Sequence, residues 1–143
     1  MDKKTIAYYN SSAQVYLDKI SREKPDSDLQ SFIAATPLGG DVLDLGCGPG
    51  NSAAMMRAAG LTVYASDGSL EMVRIAAKHF DINAVHASFN ELDDIKKYNS
   101  IWANFSLLLA PRGEMPSNLS RIFTALKPSG YLHLGLKIGN GEQ

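Results

Sequence analysis

Asp41-Val42-Leu43-Asp44-Leu45-Gly46-Cys47-Gly48-Pro49-Gly50 is the stretch around which the chain is organised. Val42 to Leu45 suits a short buried strand, and Gly46, Gly48 and Gly50 remove side chains where the backbone must come close to a ligand. The following Ser52-Ala53-Ala54-Met55-Met56-Arg57-Ala58-Ala59 reads as a helix that Gly60 stops. A strand, a glycine loop and a helix N-terminus in succession make a nucleotide-type site, because backbone N–H groups and the helix dipole converge there.

Dinucleotide-binding chains open in the same way, with G-x-G-x-x-G and a pyrophosphate on the helix N-terminus. Here the third glycine arrives one residue early, at Gly50, and Asn51 stands where the dinucleotide pattern needs glycine. Asp44 at the strand end would repel a pyrophosphate and favour an ammonium or sulfonium group. A nicotinamide-dependent oxidoreductase is therefore the weaker reading.

Leu43 to Gly50, with its Leu-Asp prefix and Cys-Gly-Pro-Gly ending, resembles motif I of the class I S-adenosylmethionine-dependent methyltransferases. That resemblance implies an α/β, Rossmann-like, open and mainly parallel sheet of order 3-2-1-4-5 with helices on both faces. Its cofactor would be S-adenosyl-L-methionine and its product S-adenosyl-L-homocysteine. The cofactor contacts would include Asp44, Gly46, Cys47, Gly48 and Gly50. Cys47 also lies near a helix N-terminus, which can activate a thiol, but packing is its usual role in this motif.

Composition sets the frame. A chain of 143 residues, 45% hydrophobic, is expected to be one domain with a sizeable core. Its net charge of −1 provides no footprint for nucleic acid or an anionic membrane. No apolar run is long enough to span a bilayer, the start Met1-Asp2-Lys3-Lys4 has no signal-like apolar region behind it, and the single cysteine cannot form an internal disulfide. A cytoplasmic enzyme acting on a small molecule is the expectation.

Before the first strand, Ile6, Tyr9, Ala13, Tyr16, Leu17 and Ile20 share one face at helical spacing. Packing helix and lid are both open readings. Tyr9, Ala13 and Tyr16 match a pattern of leading helices in the resembled family, which implies that residues 1–36 form a helical lid, with Tyr16 at the cofactor, over an α/β core of residues 40–138. A second helix is predicted from about Asp28 to Ala35, ended by Thr36-Pro37.

Leu61 to Ser66 reads as the second strand, with Asp67 at its end, 19 residues after Gly48. That is close to the roughly 20-residue spacing at which nucleoside sites place a ribose-binding carboxylate. Asp67 or Ser69 can cap the helix predicted over Leu70–Phe80; Ser69 suits that role and would leave Asp67 for the ribose. By resemblance, Asp67-Gly68-Ser69 is the family's D-x-S step and Met72 leans over the adenine, although a core methionine serves as well. Ile82 to His86 is a weakly patterned third strand. Where many relatives carry an adenine-binding aspartate this chain has Ser88, so Ser88 and Phe89 are the expected adenine contacts, and His86 is expected to be structural.

Tyr98 to Asn104 makes the fourth strand, whose end should face the cofactor together with Phe105 and Ser106. The stretch resembles a bacterial small-molecule group in which Asn104 lies near the methionine part or the acceptor, but a histidine common in that group is Leu109 here. No general base stands out. Leu119, Ile122, Phe123 and Leu126 are expected to form the buried stripe of a helix opened by Glu114 to Ser117, and Lys127-Pro128-Ser129-Gly130 turns the chain into a fifth strand over Tyr131–Ile138, with His133 opposite its leucines.

The resembled family continues past strand five with a helix and two antiparallel strands, strands 6 and 7, which this chain lacks. An incomplete domain is therefore expected, or an exposed strand-five edge used for homodimerisation. A non-catalytic interaction module using that edge is the alternative to an enzyme.

Overall fold

The structure, a computed structural model, describes residues 25–104 and 112–135. The expected leading helix with Tyr16, the stretch Phe105 to Pro111 and the end of strand five beyond Gly135 lie outside the described residues.

Helix α1 (Ser27–Ala35) is followed by β1 (Asp41–Leu45), α2 (Asn51–Ala58), β2 (Thr62–Asp67), α3 (Leu70–Phe80) and the short β3 (Val85–His86). A 3-10 turn (Phe89–Glu91), β4 (Tyr98–Asn104), a second 3-10 turn (Arg112–Glu114), α4 (Met115–Ala125) and β5 (Leu126–Gly135) are the other elements of the described residues. The five strands form one sheet of order β3-β2-β1-β4-β5, and every pairing is parallel. This is the Rossmann-like arrangement that the glycine-loop motif implied.

Period-two alternation distributes the core between the faces. Leu43 and Leu45 of β1, with Ile101 and Ala103 of β4, pack against Ile122 and Ala125 of α4. Val42 and Trp102 point the other way, onto Leu29 and Phe32 of α1 and Met56 of α2. Asp44 shares the face of Val42, two residues further toward the carboxyl end of the strand.

The helix ends follow their sequence signals. Asp26 caps α1 by accepting from the Leu29 amide at 2.8 Å. The Thr36 hydroxyl donates to the Phe32 carbonyl or pairs with the Ser100 hydroxyl, at 2.9 and 2.7 Å, which fastens the end of α1 to β4. Asp81 ends α3 in the left-handed region, φ 55°, and the Ile82 amide donates back to the Ala76 carbonyl.

Two strand boundaries differ from expectation. Ile82 and Ala84 are buried against α2 and α3 instead of pairing, so strand three is only Val85–His86. The Lys127 to Gly130 turn lies within β5: Leu126 pairs with Tyr98 and Tyr131 with Ser100, so the intervening residues bulge out of the ladder, with Ser129 at φ 64°.

Candidate functional site

The carboxyl ends of β1, β2 and β4 bring Asp44, the glycine loop, Asp67 and Asn104 to one edge of the sheet, where open α/β folds bind ligands. The loop conformation is set by glycines at φ 76° (Gly46), 57° (Gly48) and 95° (Gly50), values costly for residues with a Cβ. Their surroundings differ. A Cβ on Gly48 would meet no atom within 4 Å, so this residue faces open space, whereas one on Gly50 would sit 2.9 Å from the Ala76 Cβ. Gly50 therefore serves the packing of the loop on α3, whereas the space that a close-approaching group would need lies in front of Gly48.

The loop amides are also spent differently from the sequence expectation. Gly46 and Cys47 both donate to the Ser66 carbonyl, at 2.9 and 2.8 Å, and Gly50 donates to the Cys47 carbonyl at 3.2 Å. Gly48 donates to Asp67 Oδ2 at 2.8 Å. Pro49 has no N–H. The loop is thus no cradle of free donors for a phosphate.

Asp67 is not left free. Its Oδ1 accepts from the Ser69 amide at 2.8 Å while Oδ2 holds Gly48. Ser69 itself takes the capping role, its Oγ accepting from the Met72 amide at 3.3 Å. Burial raises the Asp67 pKa, and these two amide bonds, with His86 nearby, pull it back down. Each oxygen retains a lone pair for a ribose hydroxyl, so the carboxylate can bind ligand only while it also shapes the loop.

Asp44 is 2% exposed, and its Oδ2 has no hydrogen-bond partner among the described residues. Burial first, and the Asp67 charge second, push its pKa up to about 8. An orphaned buried oxygen of this kind suits a cationic ligand, which would supply the missing partner. Cys47 is buried, and burial together with Asp44 and Asp67 drives its thiol pKa upward, so it packs and offers no thiolate.

The adenine side departs further from expectation. Phe89 is 5% exposed and its ring packs with Leu43, Leu45 and Tyr98, which leaves only its backbone for a ligand. The Ser88 hydroxyl lies 2.6 Å from Asn90 Oδ1 and 2.8 Å from Glu91 Oε1, and Glu91 Oε1 also accepts from the Ser88 amide, a reciprocal cap of the 3-10 turn. Met72 is fully buried beside Ile75 and Phe80, as a core residue. The Gly68 carbonyl is 3.2 Å from His86 Nε2, which gives His86 its structural task.

Asn104 was expected near the cofactor or acceptor. It stands at the end of β4, and its Oδ1 is 3.0 Å from His133 Nε2 on β5. His133 in turn stacks on Trp102, ring centroids 3.9 Å apart and planes 16° from parallel. Sequence reasoning missed this pairing; the only signal was the alternation that set His133 apart from the leucines of its strand. A cavity of about 450 Å³ on the opposite face of the sheet, lined by Leu43, Leu45, Tyr64, Val85 and Tyr98 among others, includes neither the glycine loop nor Asp67.

Comparisons with known proteins give the family. The family model described as "Methyltransferase domain" matches residues 17–135. A trans-aconitate 2-methyltransferase of Delftia acidovorans is 34% identical over 120 residues, covering 78% of this chain and 42% of that protein. A carboxy-S-adenosyl-L-methionine synthase of Colwellia psychrerythraea is 26% identical over 157 aligned residues, covering 97% of this chain and 64% of that protein. The chain thus spans less than two thirds of both relatives. Among solved structures, a TehB-like SAM-dependent methyltransferase of Corynebacterium glutamicum superposes with a TM-score of 0.74 at 19% identity, over 87% of this chain and 70% of that one. The match over most of the chain, together with the 3-2-1-4-5 parallel sheet, shows that this chain belongs to the S-adenosylmethionine-dependent methyltransferase family.

Proposed function

We propose that the chain forms the cofactor-binding part of a methyltransferase that transfers the methyl group of S-adenosyl-L-methionine to a small-molecule acceptor. The observation that carries this reading is Asp44: a buried carboxyl with an orphaned oxygen behind a glycine loop whose amides are already satisfied. Such a site disfavours a pyrophosphate and suits a cation. The names of the relatives, one acting on trans-aconitate, favour a small acceptor.

The residues present fit the cofactor. Gly48 leaves its front open, Asp44 meets positive charge, and Asp67 offers each ribose hydroxyl an acceptor while holding Gly48 in place. S-adenosylmethionine, when bound, supplies a methyl group already activated by its sulfonium charge. The chain's own contribution is then placement: the loop and Asp67 fix the nucleoside end, and Asp44, Trp102 and Asn104 line the way toward β5. Orientation of two reacting groups accounts for several kcal/mol of a barrier, about 7–11 in the best intramolecular cases. An acceptor that is nucleophilic as it stands needs no general base, and in-line displacement is the reaction such placement serves.

A second reading has its own support. Among the described residues β5 pairs only with β4, so its outer edge is open to another strand, either in a homodimer or in a non-catalytic interaction module. Calorimetric titration with S-adenosylhomocysteine, with NAD as control ligand, tests the first reading, and sedimentation tests the second. Saturable binding of S-adenosylhomocysteine alone is the expected result. A folded chain that ignores it, or prefers NAD, contradicts the proposal.

A further inference from the structure

Asp44, Trp102 and His133 form one row across the sheet, since Asp44 is the register partner of Trp102 on β4, and Trp102 of His133 on β5. All three lie on the face covered by α1 and α2. Asn104, one pleat further on, folds sideways over β5 so that its Oδ1 reaches His133 Nε2 at 3.0 Å. Gly135 makes room for this: a Cβ there would run into Asn104 Oδ1 and come within 3.2 Å of His133 Nε2.

The imidazole is held by two contacts of different kind. Its plane lies flat on the Trp102 indole, and its edge meets the Asn104 amide. Burial lowers the His133 pKa, against the opposing pull of Asp28 and Asp26, which favours a neutral ring. A neutral imidazole facing a carbonyl oxygen carries its proton on the facing nitrogen, here Nε2, and donates. The Asn104 oxygen is thereby occupied, and its Nδ2 amino group has no hydrogen-bond partner among the described residues. Left to itself, an asparagine amide can present either end. Here one end is taken.

Building on the function proposed above, we infer that His133 is a positioning residue that locks the Asn104 amide with its NH2 toward the ligand, making this end of β4 a subsite for a carboxylate oxygen. That chemistry has two sources, the methionine carboxylate of the cofactor and a carboxylate on the acceptor. A donor locked in place discriminates more strongly than a free one, because a ligand without the matching oxygen leaves it unpaired.

The tautomer is tested first, by long-range ¹H–¹⁵N correlation on the ligand-free full chain with labelled histidine. A neutral ring protonated on Nε2 is the expected result; an Nδ1–H or doubly protonated His133 at neutral pH overturns the inference. Two variants then address binding. His133→Phe keeps a ring on Trp102 but removes the donor, and Asn104→Asp puts an oxygen where the NH2 stood. S-adenosylhomocysteine and 5′-methylthioadenosine, which lacks the amino-acid end, are titrated into each, followed by succinate into the S-adenosylhomocysteine complex. If the oxygen is the cofactor's, both variants bind S-adenosylhomocysteine at least tenfold more weakly and methylthioadenosine unchanged. If it is the acceptor's, only succinate binding falls tenfold. Variants that bind all three ligands like the wild type overturn the inference and leave the cofactor reading intact. A folded wild-type chain that binds neither nucleoside overturns both.

Discussion

The Gly48 amide donates to Asp67 Oδ2 at 2.8 Å, so the residue that faces the open front of the site is held there by the carboxylate at the end of the next strand. On the function proposed above, loop shape and ribose recognition share a single side chain. Asp67→Asn retains one acceptor but presents NH2 to one of two backbone amides. Hydrogen bonds to charged groups contribute about 1.5–3 kcal/mol each, so a stability loss of about 2 kcal/mol is expected, with S-adenosylhomocysteine binding weakened tenfold or more. Denaturant unfolding and calorimetry check the two separately. An unaffected unfolding midpoint would contradict the loop-anchoring role.

Gly48 and Gly50 separate binding from packing. Gly50→Ala combines a left-handed φ with a Cβ pressed on Ala76, and strain plus overpacking predicts a loss of about 2–4 kcal/mol. Gly48→Ala carries the strain alone, about 1–2 kcal/mol, yet places a methyl group where the ligand approaches. Thermal unfolding should rank Gly50→Ala as the less stable, while titration should show Gly48→Ala to be folded and defective in binding.

Asp44 gives the protein a pH dependence whose sign follows from its environment. Its pKa rises on folding from the ordinary 3.8 to about 8, so folding takes up a proton between those values and stability falls as pH rises through that window. One proton is worth about 1.4 kcal/mol per pH unit, an upper limit of about 2.7 kcal/mol between pH 5 and pH 7. Urea unfolding across that range should show the decline, and Asp44→Asn should flatten it.

The same carboxyl couples cofactor binding to proton release. A cation beside Asp44 favours its ionised form, so S-adenosylmethionine should bind more tightly as pH rises toward about 8, by up to about tenfold per unit. S-adenosylhomocysteine, without the sulfonium charge, should show a shallower slope, and Asp44→Asn should remove the dependence. Titration in buffers of different ionisation enthalpy measures the released proton directly.

Asn118 on α4 is 1% exposed, and neither its Oδ1 nor its Nδ2 has a partner among the described residues. Orphaned buried amide groups cost about 1–3 kcal/mol. Asn118→Leu, which keeps the same side-chain branching and removes both orphaned groups, should therefore stabilise the chain by about 1–2 kcal/mol, read as a higher unfolding midpoint with unchanged cofactor affinity.

Much of the architecture was legible before any coordinates. The apolar run of β1, the Ser69 cap before Leu70–Phe80, the alternation of Leu132 and Leu134 against His133 and the glycine spacing are local patterns, and each appears where local physics places it. Strand three was less legible because Ile82 and Ala84, which look like strand residues, contribute more by packing on α2 and α3 than by pairing at a sheet edge. Phe89 was expected as an adenine contact, but its ring turns into the core beside Leu45, because the 3-10 turn it opens points its side chain inward.

Sequence by itself determined the sheet order through the motif, the identity of the two carboxylates and the family's cofactor, because strand, loop and helix signals span only a few residues each. Tertiary structure alone decided how those groups are used: that Asp67 anchors Gly48, that Gly50 packs on Ala76, that Asp44 keeps an oxygen without a partner among the described residues and that His133 grips Asn104. The physical reason is register. Alternation along a strand says which face a side chain occupies, whereas its partner across the sheet depends on how neighbouring strands slide into place, which is settled only when the whole sheet packs.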